Sequence, residues 1–386
     1  MRLAIVNLTG GGFSGGYRKY LKNVLPRLAG HHDVEALLCV SPEGSDVSGW
    51  LEKPTSADYC ACSPLMLKHL VYRPDKKLAG CLKQFSPDVI FMPIERYVEF
   101  DNVPVVNMVR NMEPFIPSRK GYPLREMLRL LIQRKLACRS VKRADHTIAV
   151  SNFVRDYLTA TLHFPENKIS QVYHGVNQQT SVSCKRPPAV PNEWDGEFLF
   201  TCGSVRPARG LEDALEALND LKARDLDMPL VIAGGIAPGM RRYRDGLGRF
   251  LASRGLADRV SWTGDLNDEE MRWCYERCRL FIMTSRIEAC PNIALEAMSF
   301  GAVSIAANNP PLPEFFSDCA AYYKAGNGRS LAEAIMDRIA LDRREISSLS
   351  ERAQKRSAMF SWDLTADKTM NVLMQILIQS KTHNKP

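Results

Sequence analysis

The chain has 386 residues, 45% of them hydrophobic and 24% charged, which excludes a disordered or fibrous protein and leaves room for two domains of about 150 residues. Lys and Arg outnumber Asp and Glu by 51 to 43, a formal charge of +8. That suits an anionic ligand or an anionic membrane surface and is too diffuse to argue for nucleic acid. No apolar run reaches the ~18 residues of a membrane span. Met1-Arg2 passes into Leu3-Ala4-Ile5-Val6 without a signal-peptide pattern, so a cytoplasmic protein is expected.

Short apolar, β-branched runs recur along the chain, each followed by a loop and a helix-like segment. In the first half they are Leu3–Leu8, Val34–Val40, Val89–Ile94, Val103–Val109, His146–Ser151 and Ile169–His174. In the second half they are Phe198–Gly203, Leu230–Ala233, Val260–Thr263, Leu280–Ser285 and Ala302–Ala307. Near-continuous apolar runs mark parallel strands buried on both faces, and their alternation with helices predicts βαβ units. Between the halves, Gln178–Glu197 contains Lys185-Arg186-Pro187-Pro188-Ala189-Val190-Pro191. Three prolines in five residues exclude a helix or a central strand there. The predicted organisation is two similar, Rossmann-like α/β lobes over 1–177 and 196–360 with a linker over 178–195 between them. Ligands of open α/β sheets bind outside the carboxyl ends of the strands, so a cleft between the lobes is the expected site. The 11 cysteines include no four-ligand zinc spacing and read as free thiols packed as small apolar residues.

Three stretches carry chemistry. Gly10-Gly11-Gly12-Phe13-Ser14-Gly15-Gly16 follows the first predicted strand and precedes a predicted helix. Gly10, Gly12 and Gly15 fit a dinucleotide fingerprint, but the acid that should hold a ribose is late: Glu43 follows Pro42. A glycine loop that lets backbone approach a ligand is the better reading, with a plain flexible turn as the alternative. In the second half, Thr201–Leu215 passes from a strand into a loop with Arg206 and Arg209, whose guanidinium donors match phosphate oxygens. A solvated basic loop is the bland alternative. The richest stretch is Phe281–Gly301. A buried strand ends at Ser285, the following loop carries Glu288, Pro291 suits a helix start, and Glu296 lies eight positions beyond Glu288, inside that helix. The helix start around Ala289, Cys290, Asn292 and Ile293 offers backbone N–H groups to a diphosphate. An acidic helix start that only complements its own dipole is the competing reading.

Taken together these stretches resemble the retaining two-lobed GT-B glycosyltransferases of family 4, the large group of sucrose-synthase-like, capsule and lipopolysaccharide enzymes. The resemblance covers nearly the whole chain. It rests chiefly on Glu288, Pro291-Asn292, Glu296-Ala297-Met298 and Gly301, with support from Ala144–Ser151, His174-Gly175-Val176-Asn177, Pro313-Glu314 and Phe360-Ser361-Trp362. Through the last of these stretches it implies a terminal helix over 361–386. It departs from the family in two places. The family's phosphate-binding arginine falls on Ser204 and its lysine on Arg209, with Arg206 as a substitute. The family's His-Asp pair falls on Arg110 and Asn111, with Glu113 next.

The resemblance implies transfer of a hexosyl group from a nucleotide diphosphate sugar, such as a UDP- or GDP-sugar, to a hydroxyl of a saccharide or lipid-linked acceptor, with retention. It implies Glu288, Arg209 and Arg206 as the catalytic set. Gly15, Gly16, Ser204, Arg206, Arg209, Gly264, Ala289, Cys290, Asn292, Ile293 and Glu296 are implied for the donor, with Glu296 on the ribose. Asn111, Glu113 and Arg110 are implied for the sugar or acceptor. Arg206, Arg209 and the helix amides could replace a divalent cation, so the reaction is expected to need neither metal nor cofactor. A nucleotide-sugar epimerase and a non-catalytic nucleotide-sugar binding subunit are the alternatives on the same scaffold. The segment Leu124–Arg143 is strongly basic with leucines interleaved; peripheral contact with a membrane and a solvated basic face are both consistent with it.

Overall fold

The computed structural model describes residues 1–8, 15–43, 57–63, 73–116, 121–177 and 183–383. The chain divides into two compact units. One comprises Met1–Phe115, Arg129–Gly175 and Ser361–Pro386, the other Ile116–Leu128 and Val176–Phe360.

The first unit is built on a parallel seven-stranded sheet: β1 (Arg2–Val6), β2 (Ala36–Pro42), β3 (Ala57–Cys62), β4 (Val89–Met92), β5 (Val105–Val109), β6 (His146–Ala149) and β7 (Ile169–Gln171), ordered β3-β2-β1-β4-β5-β6-β7. The second holds a parallel six-stranded sheet: β8 (Leu199–Cys202), β9 (Leu230–Ala233), β10 (Val260–Gly264), β11 (Leu280–Met283), β12 (Ser304–Ala307) and β13 (Ala320–Tyr323), ordered β10-β9-β8-β11-β12-β13. Both are Rossmann-like, as expected. In each the order reverses once, between β1 and β4 and between β8 and β11, and at that point successive crossovers leave a crevice above the carboxyl ends of the strands.

Every predicted apolar run became a strand, with ends shifted by a few residues or fewer. The two strands without a prediction, β3 and β13, each lie at an edge of a sheet. β3 reads Ala-Asp-Tyr-Cys-Ala-Cys with most of its side chains at least partly exposed, so it lacks the hydrophobic run of a central strand. β13 contributes Ala320-Ala321-Tyr322-Tyr323, in which alanine is a weak strand former.

The reading of the cysteines needs correcting: Cys60 of β3 and Cys81 of helix Lys76–Phe85 are joined by a disulfide, which staples an edge strand to the helix over it. Cys62 lies beside Cys60, with Sγ atoms 3.5 Å apart.

The terminal helix Trp362–His383 packs within the first unit. Trp362 is 1% exposed and meets the ring of Tyr20 edge-on at 6.0 Å. Thr365 Oγ1 donates to the Tyr173 carbonyl at 2.9 Å. Gly175 permits this contact, because a Cβ there would stand 2.3 Å from the Trp362 backbone nitrogen. In the second unit the proline-rich stretch lies on the sheet's flank: Ser261 Oγ donates to Ala189 O at 2.6 Å, and Trp194 is buried.

His146 opens β6 in a buried position, with Nε2 2.8 Å from Ser170 Oγ. Burial, reinforced by Lys168, depresses its pKa to about 4. The unfolded chain therefore binds this proton first as pH falls. The stability due to a neutral His146 should be constant above pH ~6.5 and decline between there and pH ~4, by on the order of 3 kcal/mol. Denaturant titrations of the protein and of His146→Gln across this window check it. Parallel pH profiles for the two proteins would refute the role of His146.

Candidate functional site

Both loops singled out in the second half of the chain emerge at the strand-order reversal of the second unit, one after β8 and one after β11. They are locked together by backbone and side chain. The Arg286 N–H donates to Ala208 O at 2.8 Å, and Thr284 Oγ1 donates to Arg209 O at 2.6 Å. Two glycines make this approach sterically allowed. Gly210 has φ +59°, and a Cβ on it would lie 2.4 Å from the Thr284 carbonyl oxygen. Gly203 has φ +121°, and a Cβ on it would sit 2.7 Å from Arg209 Nε.

Arg209 and Glu288 form an ion pair, and the same Arg209 Nη1 donates to Ser285 Oγ at 3.2 Å. Both side chains are mostly covered, at 23% and 12% exposure, so the pair is screened less than one on the open surface. Glu296 lies one helical turn into Asn292–Ser299 and accepts from Tyr275 Oη at 3.3 Å. Tyr275 is fully buried; desolvation raises its pKa well above the ordinary phenol value, so its hydroxyl is a donor throughout the physiological range. The same Oη lies 3.3 Å from the sulfur of Cys202, the last residue of β8. The two glutamates are thus each tied to the carboxyl end of β8, one through Arg209 and one through Tyr275.

Behind this face a buried acid fixes the β11 loop. Asp213 accepts from Arg286 Nη1 at 3.0 Å and Nη2 at 2.6 Å, from Tyr323 Oη at 2.8 Å and from the Gly326 N–H at 2.9 Å. Arg286 O in turn accepts from Asn309 Nδ2 at 2.7 Å. The sequence hid this cluster, because Asp213 looks like an acid that merely suits the first turn of helix Leu211–Lys222.

The remaining second-unit residues are distributed around the two loops. Ser204 is exposed, and Arg206 faces Glu126 at 3.8 Å. Gly264 ends β10 with φ +69° and open space where a Cβ would be, and its carbonyl accepts from the Gly234 N–H at 2.7 Å. At the helix start, Ala289 is buried and Cys290, Asn292 and Ile293 are half-buried, while the Asn292 amide turns back onto the Cys290 carbonyl at 3.0 Å.

In the first unit, Gly15 and Gly16 are exposed at the start of helix Gly15–Ala29; Gly10–Ser14 lie outside the described residues. Arg110 and Asn111 directly follow β5, and their amides both donate to Glu95 Oε1, at 2.7 and 2.8 Å. The Glu113 amide donates to Asn111 Oδ1 at 3.0 Å. The Arg110 guanidinium lies 3.5 Å from the centre of the Tyr17 ring, and Tyr17 Oη donates to Asn7 Oδ1. Glu95, Tyr17 and Asn7 had no motif to reveal them; they meet only because β1, β4 and β5 are neighbours. Among the described residues, His31, His32 and Asp33 are grouped closely enough to surround a metal ion, away from the strand-order reversal of the second unit, while the neighbouring trio Cys60, Cys62 and Cys81 has two of its sulfurs committed to a disulfide.

Residues 14–180 match the family model described as Glycosyltransferase Family 4, and residues 187–356 match Glycosyl transferases group 1. The chain belongs to the family 4 glycosyltransferases of GT-B type. Among its relatives, the serotype-specific mannosyltransferase WbdA of Escherichia coli is 22% identical over 84% of this chain and 42% of its own length. The GDP-mannose:cellobiosyl-diphosphopolyprenol alpha-mannosyltransferase of Xanthomonas oryzae is 31% identical over 32% of each chain. The chain therefore spans less than half the length of these curated relatives. Among solved structures, Anabaena Alr3699/HepE in complex with UDP-glucose superposes with TM-score 0.71 at 15% identity, covering 97% of this chain and 99% of the other. That likeness is one of fold.

Proposed function

We propose that this family 4 glycosyltransferase moves a hexosyl group from a nucleoside diphosphate sugar to a hydroxyl of a saccharide or lipid-linked acceptor, with retention at the anomeric carbon and without a metal. The observation that carries the reading is the Arg209–Glu288 pair at the strand-order reversal, with Glu296 held by Tyr275 on the next helix. The names of the mannosyltransferases and of the UDP-glucose complex support a nucleotide sugar as donor.

In this reading Glu296 accepts from the two ribose hydroxyls, which a single carboxylate can do. Arg209, Arg206 and the Ile293 amide at the start of Asn292–Ser299 face the diphosphate and stabilise the charge it gains as it leaves. Glu288 faces the sugar ring, where positive charge develops at the anomeric carbon. A retaining hydrolase places two carboxylates across the bond, one as nucleophile; here one of the two is assigned to the ribose. The leaving diphosphate then takes the proton of the incoming hydroxyl on the same face. The bond from the anomeric carbon to the phosphate oxygen breaks, and the bond to the acceptor oxygen forms with its configuration kept.

A thermal-shift panel of nucleotide sugars tests the donor, because a ligand that binds only the native state raises Tm. GDP-mannose and UDP-glucose are the first members, run with and without excess chelator. One of them should raise Tm in both conditions, and Arg209→Ala should lose at least about tenfold in affinity for it, as removal of a charge-assisted contact predicts. An inert panel would sink the reading, an inverted product would remove retention, and loss with chelator would remove the metal-free claim.

A further inference from the structure

The first unit has its own strand-order reversal, between β1 and β4, and the side chains gathered beside it are unusually rich in unsatisfied donors. Asn7 follows β1 and is 2% exposed; its Oδ1 is taken by Tyr17, but its Nδ2 meets no acceptor among the described residues. Arg110 follows β5, and its buried Nε also meets no acceptor among the described residues. The rest of the guanidinium is only half-buried, rests on the face of Tyr17 and has no carboxylate within ion-pairing distance among the described residues. Glu95 approaches Arg110 through the backbone, where its Oε1 accepts from the amides of Arg110 and Asn111. Buried amide and guanidinium donors are costly to leave unpaired, and native proteins almost always pair them. Stacking on Tyr17 fixes the plane of the guanidinium and leaves its edge free for a planar or tetrahedral oxyanion.

The geometry points to a subsite for an anionic group, formed by Arg110 and Asn7, in the first unit. The shared chemistry of its ligand is a carboxylate or a phosphate, so the enzyme selects a substrate that carries one: an acidic sugar residue or a phosphorylated acceptor. Neutral sugars offer no oxygen of sufficient charge to compensate the guanidinium. This inference rests on the glycosyltransferase reading for the identity of the substrate, although the subsite itself can be tested separately.

The test uses the full chain and two probes, inorganic phosphate and D-glucuronate, titrated by calorimetry with the second unit saturated by GDP or UDP, whichever binds. Saturation occupies Arg209, so the probe reports on the first unit. One probe should bind the native protein. Arg110→Gln should weaken it by at least about tenfold, Arg110→Lys should restore part of the affinity, and nucleoside diphosphate affinity should be unchanged in both. Preference for phosphate assigns a phosphorylated substrate, and preference for glucuronate an acidic sugar. The subsite is overturned if neither probe binds, or if both bind Arg110→Gln as tightly as the native chain. Should neither nucleotide bind the native protein, the donor reading fails while the titrations without nucleotide still decide the role of Arg110.

Discussion

Glu288→Gln should lower kcat by about 10²–10³-fold, the cost of removing one preorganised electrostatic group from a reacting centre. The substitution keeps the shape of the side chain and removes its charge. Two things are then lost together: the carboxylate proposed to face the sugar and the ion-pair partner of Arg209. Arg209 keeps its contact with Ser285 Oγ and the backbone lock between the two loops, so the protein should still fold and bind nucleotide. Initial rates with saturating donor, set beside a melting curve, separate chemistry from folding. Near-native turnover in a folded Glu288→Gln protein would remove this residue from the reaction.

Asp213→Asn should destabilise the second unit by about 3 kcal/mol or more, because it breaks a buried ion pair by removing one partner. The side chain of Asp213 is 2% exposed, and that of Arg286 is 29% exposed. Asparagine has one acceptor oxygen where the carboxylate had two, so the two Arg286 bonds, Tyr323 Oη and the Gly326 N–H cannot all be satisfied. Urea unfolding measures the change. A loss below about 1 kcal/mol, the ordinary cost of a point substitution, would mean the cluster is not the brace described above. Because Arg286 sits two residues before Glu288, donor affinity should fall in the same variant.

The central strands of both sheets were legible in the sequence because they are buried on both faces and therefore spelled in unbroken apolar letters. Val89–Met92 and Leu280–Met283 are examples, with all four side chains of each buried. The edge strand Ala57–Cys62 escaped because one flank carries no neighbour and its side chains face solvent. Glu288 and Glu296 were found through a fixed local spacing that a single loop and helix carry. Asp213, Tyr275 and Glu95 were not, since their partners lie far away in sequence: Tyr323 is 110 positions from Asp213. Glu126 was visible only as a lone acid in a basic segment; its position opposite Arg206 is a tertiary fact. Local patterns announce what one segment does alone, and contacts between segments wait for the fold.

The ion pair and its neighbours stand on two turns that follow the buried strands β8 and β11, and Gly203 and Gly210 give steric permission for their meeting. Exposed Ser204 shares the same turn. Selection can therefore rewrite such rim positions while the framework beneath stays untouched. Replacing either glycine would close that evolutionary route at once, since every later variant would inherit a displaced guanidinium.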